Sequence, residues 1–185
     1  MDNPSNMNTT KIAIIAVLSA LSIGTNYALV SIYNVKLMDL IVFVGGFLFG
    51  PFTGAFVGIL SWSVYGVLNP YGFVPQIWLA TMFSEAIYGV AGGLVHKANV
   101  NFSGKSFGHM VFVGNLGFLL TLIYDLLTNI AYAHVLGQDI LVAIIIGAPF
   151  TLTHEISNAL LFGMCFMPLM SALKVVGVGN IANLR

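Results

Sequence analysis

The sequence predicts an all-α integral membrane protein, a six-transmembrane-helix bundle with both termini cytoplasmic. Three observations predict it. Hydrophobic residues fill 58% of 185 positions, charged residues only 6%, and mean hydropathy is +0.97, whereas soluble domains carry about a quarter charged residues. The apolar residues fall in runs that match the roughly 20 residues a helix needs to cross a bilayer. The basic residues also divide unequally between the loops, as the positive-inside rule requires.

Each element follows in order. Residues 1–10 are polar and read as a short disordered cytoplasmic leader. The apolar run 11–31 outlasts a signal-peptide core and is followed by further spans, so it reads as a retained first helix. After the loop 33–36, residues 38–49 are apolar but too few to cross comfortably. Gly50-Pro51 then ends one helix and starts the next. Residues 52–68 form the third helix, stopped by the turn Asn69-Pro70-Tyr71-Gly72. Residues 75–95 form the fourth, 96–105 the most polar loop, and 107–134 the fifth. The last apolar stretch, 140–173, is interrupted by Gly147-Ala148-Pro149. That predicts a short re-entrant or interfacial piece over 140–146 and a sixth span over 150–173. The whole is one membrane domain, 11–175, with a cytoplasmic tail, 176–185, in a multi-pass protein of the cell membrane. Five of the six basic residues, Lys11, Lys97, Lys105, Lys174 and Arg185, then lie inside, and only Lys36 outside.

Charge and motif exclude several functions. Six Lys plus Arg balance six Asp plus Glu, so nucleic-acid binding has no electrostatic footprint. The single cysteine, Cys165, cannot form an internal disulfide and reads as a packing residue. His154-Glu155 begins like a zinc-protease HExxH, but the second histidine position is Asn158. No GxSxG occurs, and no glycine-rich loop joins a strand to a helix. The sequence therefore predicts no enzyme, no metal and no cofactor.

Function is carried by the polar residues inside the spans. An ionisable side chain at mid-bilayer costs about 2.5–3.5 kcal/mol or more unless it faces a cavity or a partner. Glu85, Asp125, His154 and Glu155 all sit in otherwise apolar helices. Around them polar residues recur at helical spacing on one face: Ser61, Tyr65 and Asn69; Trp78, Thr81, Glu85 and Tyr88; Thr121, Asp125, Asn129 and Tyr132; Thr151, His154, Glu155 and Asn158. Four such stripes predict a shared interior site. At about 1.5 Å per residue, Asp125, His154 and Glu155 fall in the outer third and Glu85 nearer the middle, so the site should open outward. Trp62, Tyr65, Tyr71, Trp78 and Tyr88 offer flat faces for a ligand. Three intramembrane acids with no Lys or Arg beside them favour a cationic, amine-bearing or hydrogen-bond-donating small molecule. Structural alternatives stand beside this reading. Asp125 with Asn129 can tie helices together, His154 can be a packing residue, and the aromatic residues can form an interfacial belt.

Small residues form a second pattern. Ala13, Ala16, Ala20 and Gly24 line one face of the first helix, where a partner helix could approach closely. Gly50, Gly54 and Gly58, and Gly89 with Gly93, form similar stripes that read as internal packing.

These features together resemble the substrate-binding S components of the energy-coupling factor (ECF) transporters, the vitamin importers of bacteria and archaea. The resemblance spans nearly the whole chain. Its most specific stretches are Met38-Asp39-Leu40-Ile41-Val42-Phe43 with Gly45-Gly46-Phe47-Leu48-Phe49-Gly50-Pro51-Phe52-Thr53-Gly54-Ala55, and the run from Pro149-Phe150-Thr151 through His154-Glu155 to Asn158-Ala159. It implies a subunit that binds a vitamin or precursor in an outward pocket, formed by the outer halves of helices four to six and adjoining loops. It also implies association with a transmembrane coupling protein and two cytoplasmic ATPases, and toppling of the whole subunit to release substrate inside. Ala16 and Ala20 would meet the coupling protein. Glu85, Asp125, Asn129, His154 and Asn158 match the pocket by position in the topology. Related metal importers carry a histidine after the initiator methionine; here position 2 is Asp2, which disfavours metal cargo. The acids lean towards thiamine-like, aminopyrimidine or pyridoxine-like ligands. On the residues alone, a self-sufficient secondary transporter or channel and a structural subunit of a membrane complex stay open.

Overall fold

The computed structural model describes residues 9–70, 72–100, 102 and 107–175. Their helices are α1 (Thr9–Ala28), α2 (Met38–Phe49), α3 (Pro51–Leu68), α4 (Pro75–Lys97), α5 (Phe107–Leu136) and α6 (Ile140–Val175). All but α2 are long and apolar enough to cross a membrane. Polarity is inverted relative to a soluble bundle. Large apolar side chains such as Val17, Phe52, Phe83, Leu119 and Ile145 face outward, while Glu85, His154 and Asn158 are fully buried. Hydrocarbon is the solvent that accommodates such a surface, and the chain is a multi-pass membrane protein.

The 12 residues of α2 span about 18 Å, well short of the ~30 Å hydrocarbon core. This short helix is nonetheless central, touching α1, α3, α4 and α6. Its Phe47 packs on His96 near the end of α4 and on Phe166 of α6, with ring centroids 5.1 and 5.3 Å apart. Its first turn therefore begins inside the bundle, and the preceding segment, residues 29–37, descends to meet it.

Glycine makes this packing possible. Gly46 of α2, Gly54 of α3 and Gly89 of α4 meet at one crossing, where a Cβ on any of them would run into the backbone of another. Of the glycine stripes expected to pack internally, Gly54, Gly58, Gly89 and Gly93 do so, whereas a Cβ at Gly50 would meet open space. At Gly50 the chain reverses with φ +95°, a conformation few L-residues adopt, and Pro51 opens α3.

The last helix departs from the sequence reading. Residues 140–146 are not a separate re-entrant piece but the first turns of one 36-residue helix that passes through Gly147 and Pro149. Asp139 starts it, its Oδ1 accepting from the Leu141 and Val142 amides at 2.8 and 3.4 Å. Ending a helix in apolar surroundings would leave several backbone groups unpaired, whereas Pro149 removes only one donor, so the helix continues. The first helix also stops at Ala28 instead of running to residue 31. The expected leader lies, apart from its last two residues, outside the described residues, as does the tail.

Candidate functional site

The polar stripes of α3 to α6 converge, and each divides along its length. Towards one end of the bundle their residues line a cavity of about 470 Å³; Tyr65, Asn69, Trp78, Thr81, Asn129 and Thr151 are among them. That volume suits a small organic molecule, since ligand pockets run from about 300 to 1,000 Å³. The cavity's remaining walls come from the α1–α2 segment, the α3–α4 turn and the α5–α6 connection, including Asn34, Gly72 and Gln138. These three connections share one end of an up-and-down bundle. Helix starts and ends carrying Lys11, Lys97 and Lys174 lie at the other.

Below the cavity the same stripes form a buried hydrogen-bond network. His154 of α6 stands between two carboxylates, with Nε2 2.8 Å from Asp39 Oδ2 and Nδ1 3.1 and 3.2 Å from the two Asp125 oxygens. An imidazolium donating from both nitrogens satisfies that arrangement. Asn158, one turn further on, donates to Asp39 Oδ2 at 2.6 Å and to Thr121 Oγ1 at 2.7 Å. Tyr88 donates to the same Thr121 oxygen at 2.9 Å, and the Thr121 hydroxyl donates in turn to the Gly117 carbonyl at 2.8 Å. Glu85, facing the Asp39 carboxyl group, accepts from the Trp62 indole at 3.0 Å. Trp78 in turn donates to the Trp62 carbonyl at 3.1 Å. Trp62 and Asp125 therefore belong to both parts, as cavity wall and as network.

Lys36 changes the electrostatics of the site. The sequence places it in an outer loop, away from the intramembrane acids. The descent of residues 29–37 instead carries it into the cavity wall, with its ammonium 5.3 Å from the ring centroids of both Trp62 and Tyr124. No carboxylate oxygen of the described residues lies within 4 Å of it. Its electrostatic interactions with Asp39, Glu85 and His154 act at longer range. The premise that no Lys or Arg stands beside the acids is therefore corrected.

A family model described as the substrate-specific component of ECF transporters matches residues 10–183. The chain belongs to this family. No solved structure matches it. In this ECF component the residues expected to bind substrate separate into two groups. Tyr65, Asn69, Trp78, Asp125 and Asn129 line the cavity; Glu85, Tyr88, His154 and Asn158 do not, lying buried in the network beneath it. Glu155 joins neither. It is buried beside Asp125 with one carboxylate oxygen unpartnered among the described residues, which agrees with its divergence of about 100° from His154 along the helix. Tyr71 lies outside the described residues. Among those residues no group of three or more His, Cys, Asp or Glu is arranged to hold a metal.

Two contributors escaped the sequence reading. Asp39 sits in the first turn of α2, where an acid suits the helix dipole and so reads as unremarkable. The signal was an acid opening a helix that carries no other charge and is too short to begin at the membrane surface. Lys36, three residues earlier, follows from the same point. On α1 the predicted small-residue face, Ala13, Ala16, Ala20 and Gly24, points outward, away from the buried Ile15, Ser19, Ser22 and Asn26.

Proposed function

We propose that the chain is the substrate-capture subunit of an ATP-driven ECF importer in the cell membrane. It binds a vitamin or vitamin precursor in the cavity and passes it on through a separate coupling protein and two cytoplasmic ATPases. The observation that carries this reading is the position of the cavity. It is walled by the three connections at one end of the bundle, and three of the four basic residues among the described ones, Lys11, Lys97 and Lys174, belong to the other. With the positive-inside rule, both termini are cytoplasmic and the cavity faces outward, where cargo is met first. Tyr65, Asn69, Trp78, Asp125 and Asn129 contact the ligand. Glu85, Tyr88, His154 and Asn158 hold the cavity floor, and act on the ligand through Trp62 and Asp125. The exposed face of Ala13, Ala16, Ala20 and Gly24 receives the coupling protein, because small side chains let a second helix approach closely.

Reconstitution tests the division of labour. Proteoliposomes holding the chain alone should bind substrate without accumulating it, and ATP-driven uptake should begin when the coupling protein and ATPases are added. Accumulation by the chain alone would make it a self-sufficient transporter instead.

A further inference from the structure

The charges of the cavity point to the chemical class of its ligand. Asp125 is the one acidic side chain in its wall, and both of its oxygens are turned to the His154 ring at 3.1 and 3.2 Å. Asp39 and Glu85 lie beneath the wall and are fully buried. Asp39 is held by His154 and Asn158, and Glu85 by the Trp62 indole. Lys36 is different. Its ammonium reaches the wall at partial exposure, lies over two ring faces, and makes no hydrogen bond to any described residue. An ammonium carries three donors, and a ring face satisfies its charge only in part. Asp39 Oδ1 and Glu85 Oε1 lack a hydrogen-bond partner among the described residues, but both lie buried beneath the wall. Of the two charged groups that line the cavity, Asp125 is hydrogen-bonded to His154 and Lys36 is not hydrogen-bonded. The rest of the wall combines apolar side chains, such as Leu29, Ile77 and Ile146, with the amides of Asn26, Asn69 and Asn129.

We infer that the cavity takes a small organic anion, with a carboxylate group paired to Lys36 and an apolar or aromatic body against the remaining wall. This rests on the capture role proposed above and reverses the cationic lean of the sequence. Lys36 would then be the residue that selects the ligand by charge. A charge-assisted hydrogen bond of this kind is worth roughly ten- to a hundredfold in affinity.

Three charge-matched probe sets test the inference on the purified full chain. Each set holds one ring system as its carboxylate, its carboxamide and its aminomethyl analogue: pyridine-3-, indole-3- and benzene-derived. Binding is read by tryptophan fluorescence and thermal shift for wild type, Lys36→Gln and Lys36→Arg. Small molecules released by denaturing protein purified from its native membrane are read by mass spectrometry. The expected result is binding or co-purification of an anion, lost at least tenfold in Lys36→Gln and largely retained in Lys36→Arg. Preference for an amide or amine, or anion binding unchanged in Lys36→Gln, would overturn the inference while leaving substrate capture standing. A folded wild-type chain that binds no probe and releases no small molecule would overturn both. If Lys36 serves only as a counter-charge, Lys36→Gln will lower thermal stability without changing the order of preference within any set, which also overturns the inference.

Discussion

His154 shows at single-residue scale how the site is held together. Its ring is the group that stands between the Asp39 and Asp125 carboxyl groups, in contact with both, so removing it leaves two buried carboxyl groups facing each other across a void. His154→Ala should therefore destabilise the chain by about 3–5 kcal/mol, the cost of breaking a buried ion pair from one side. Asn158→Ala removes amide contacts to Asp39, Thr121 and, at 3.5 Å, Tyr88 and should cost less, about 1–3 kcal/mol. Thermal denaturation in mild detergent checks the order, and an equal or reversed ranking would contradict the network described. At this scale the sequence was legible where a polar group interrupts a long apolar span, as Glu85, Asp125 and Asn158 do. Lys36 was missed, because its place depends on how deep α2 begins. That depth follows only once the shortness of α2 is combined with what surrounds it.

Among elements, the crossing of α2, α3 and α4 brings three helix backbones together at Gly46, Gly54 and Gly89. Gly89→Ala would drive a methyl group into the backbone of α3 and should cost roughly 1–3 kcal/mol or more, as overpacking does. Gly24→Ala, on an exposed face with no atom within 4 Å of the new Cβ, should be neutral or slightly stabilising because alanine favours helix. Comparing thermal midpoints and monodisperse yield of the two variants checks this pair. Helix existence was readable from apolar run length and turn residues, and α3 to α5 begin and end within a few residues of expectation. The failure came at Gly147-Ala148-Pro149. These residues break helices in water, but in an apolar environment a broken helix costs more than one missing hydrogen bond. Local turn chemistry alone therefore could not reveal the continuity of α6.

For the whole molecule, the account predicts sidedness and division of labour. In a Cys165→Ser background, Phe73→Cys beside the cavity end should react with a membrane-impermeant maleimide from outside intact cells, and Ala98→Cys should not. Ala16→Leu with Ala20→Leu should leave substrate binding unchanged but abolish ATP-driven uptake in the reconstituted transporter, because both residues lie on the exposed face of α1. The family and the helix stripes that line the cavity were legible in the sequence, Tyr65, Asn69, Trp78, Asp125 and Asn129 among them; the walls that come from three connections distant in the chain were not. The most direct test of capture by this cavity uses the chain's own probes. Its two tryptophans, Trp62 and Trp78, both stand in the cavity wall, so their emission reports occupancy without a label. The measurement is a fluorescence titration of the purified chain, without coupling protein or ATPases, across vitamins and their precursors. The account predicts a saturable one-to-one change for one compound, lost when His154→Ala disturbs the floor. Tight binding that leaves both tryptophans unchanged would place the ligand elsewhere and contradict it.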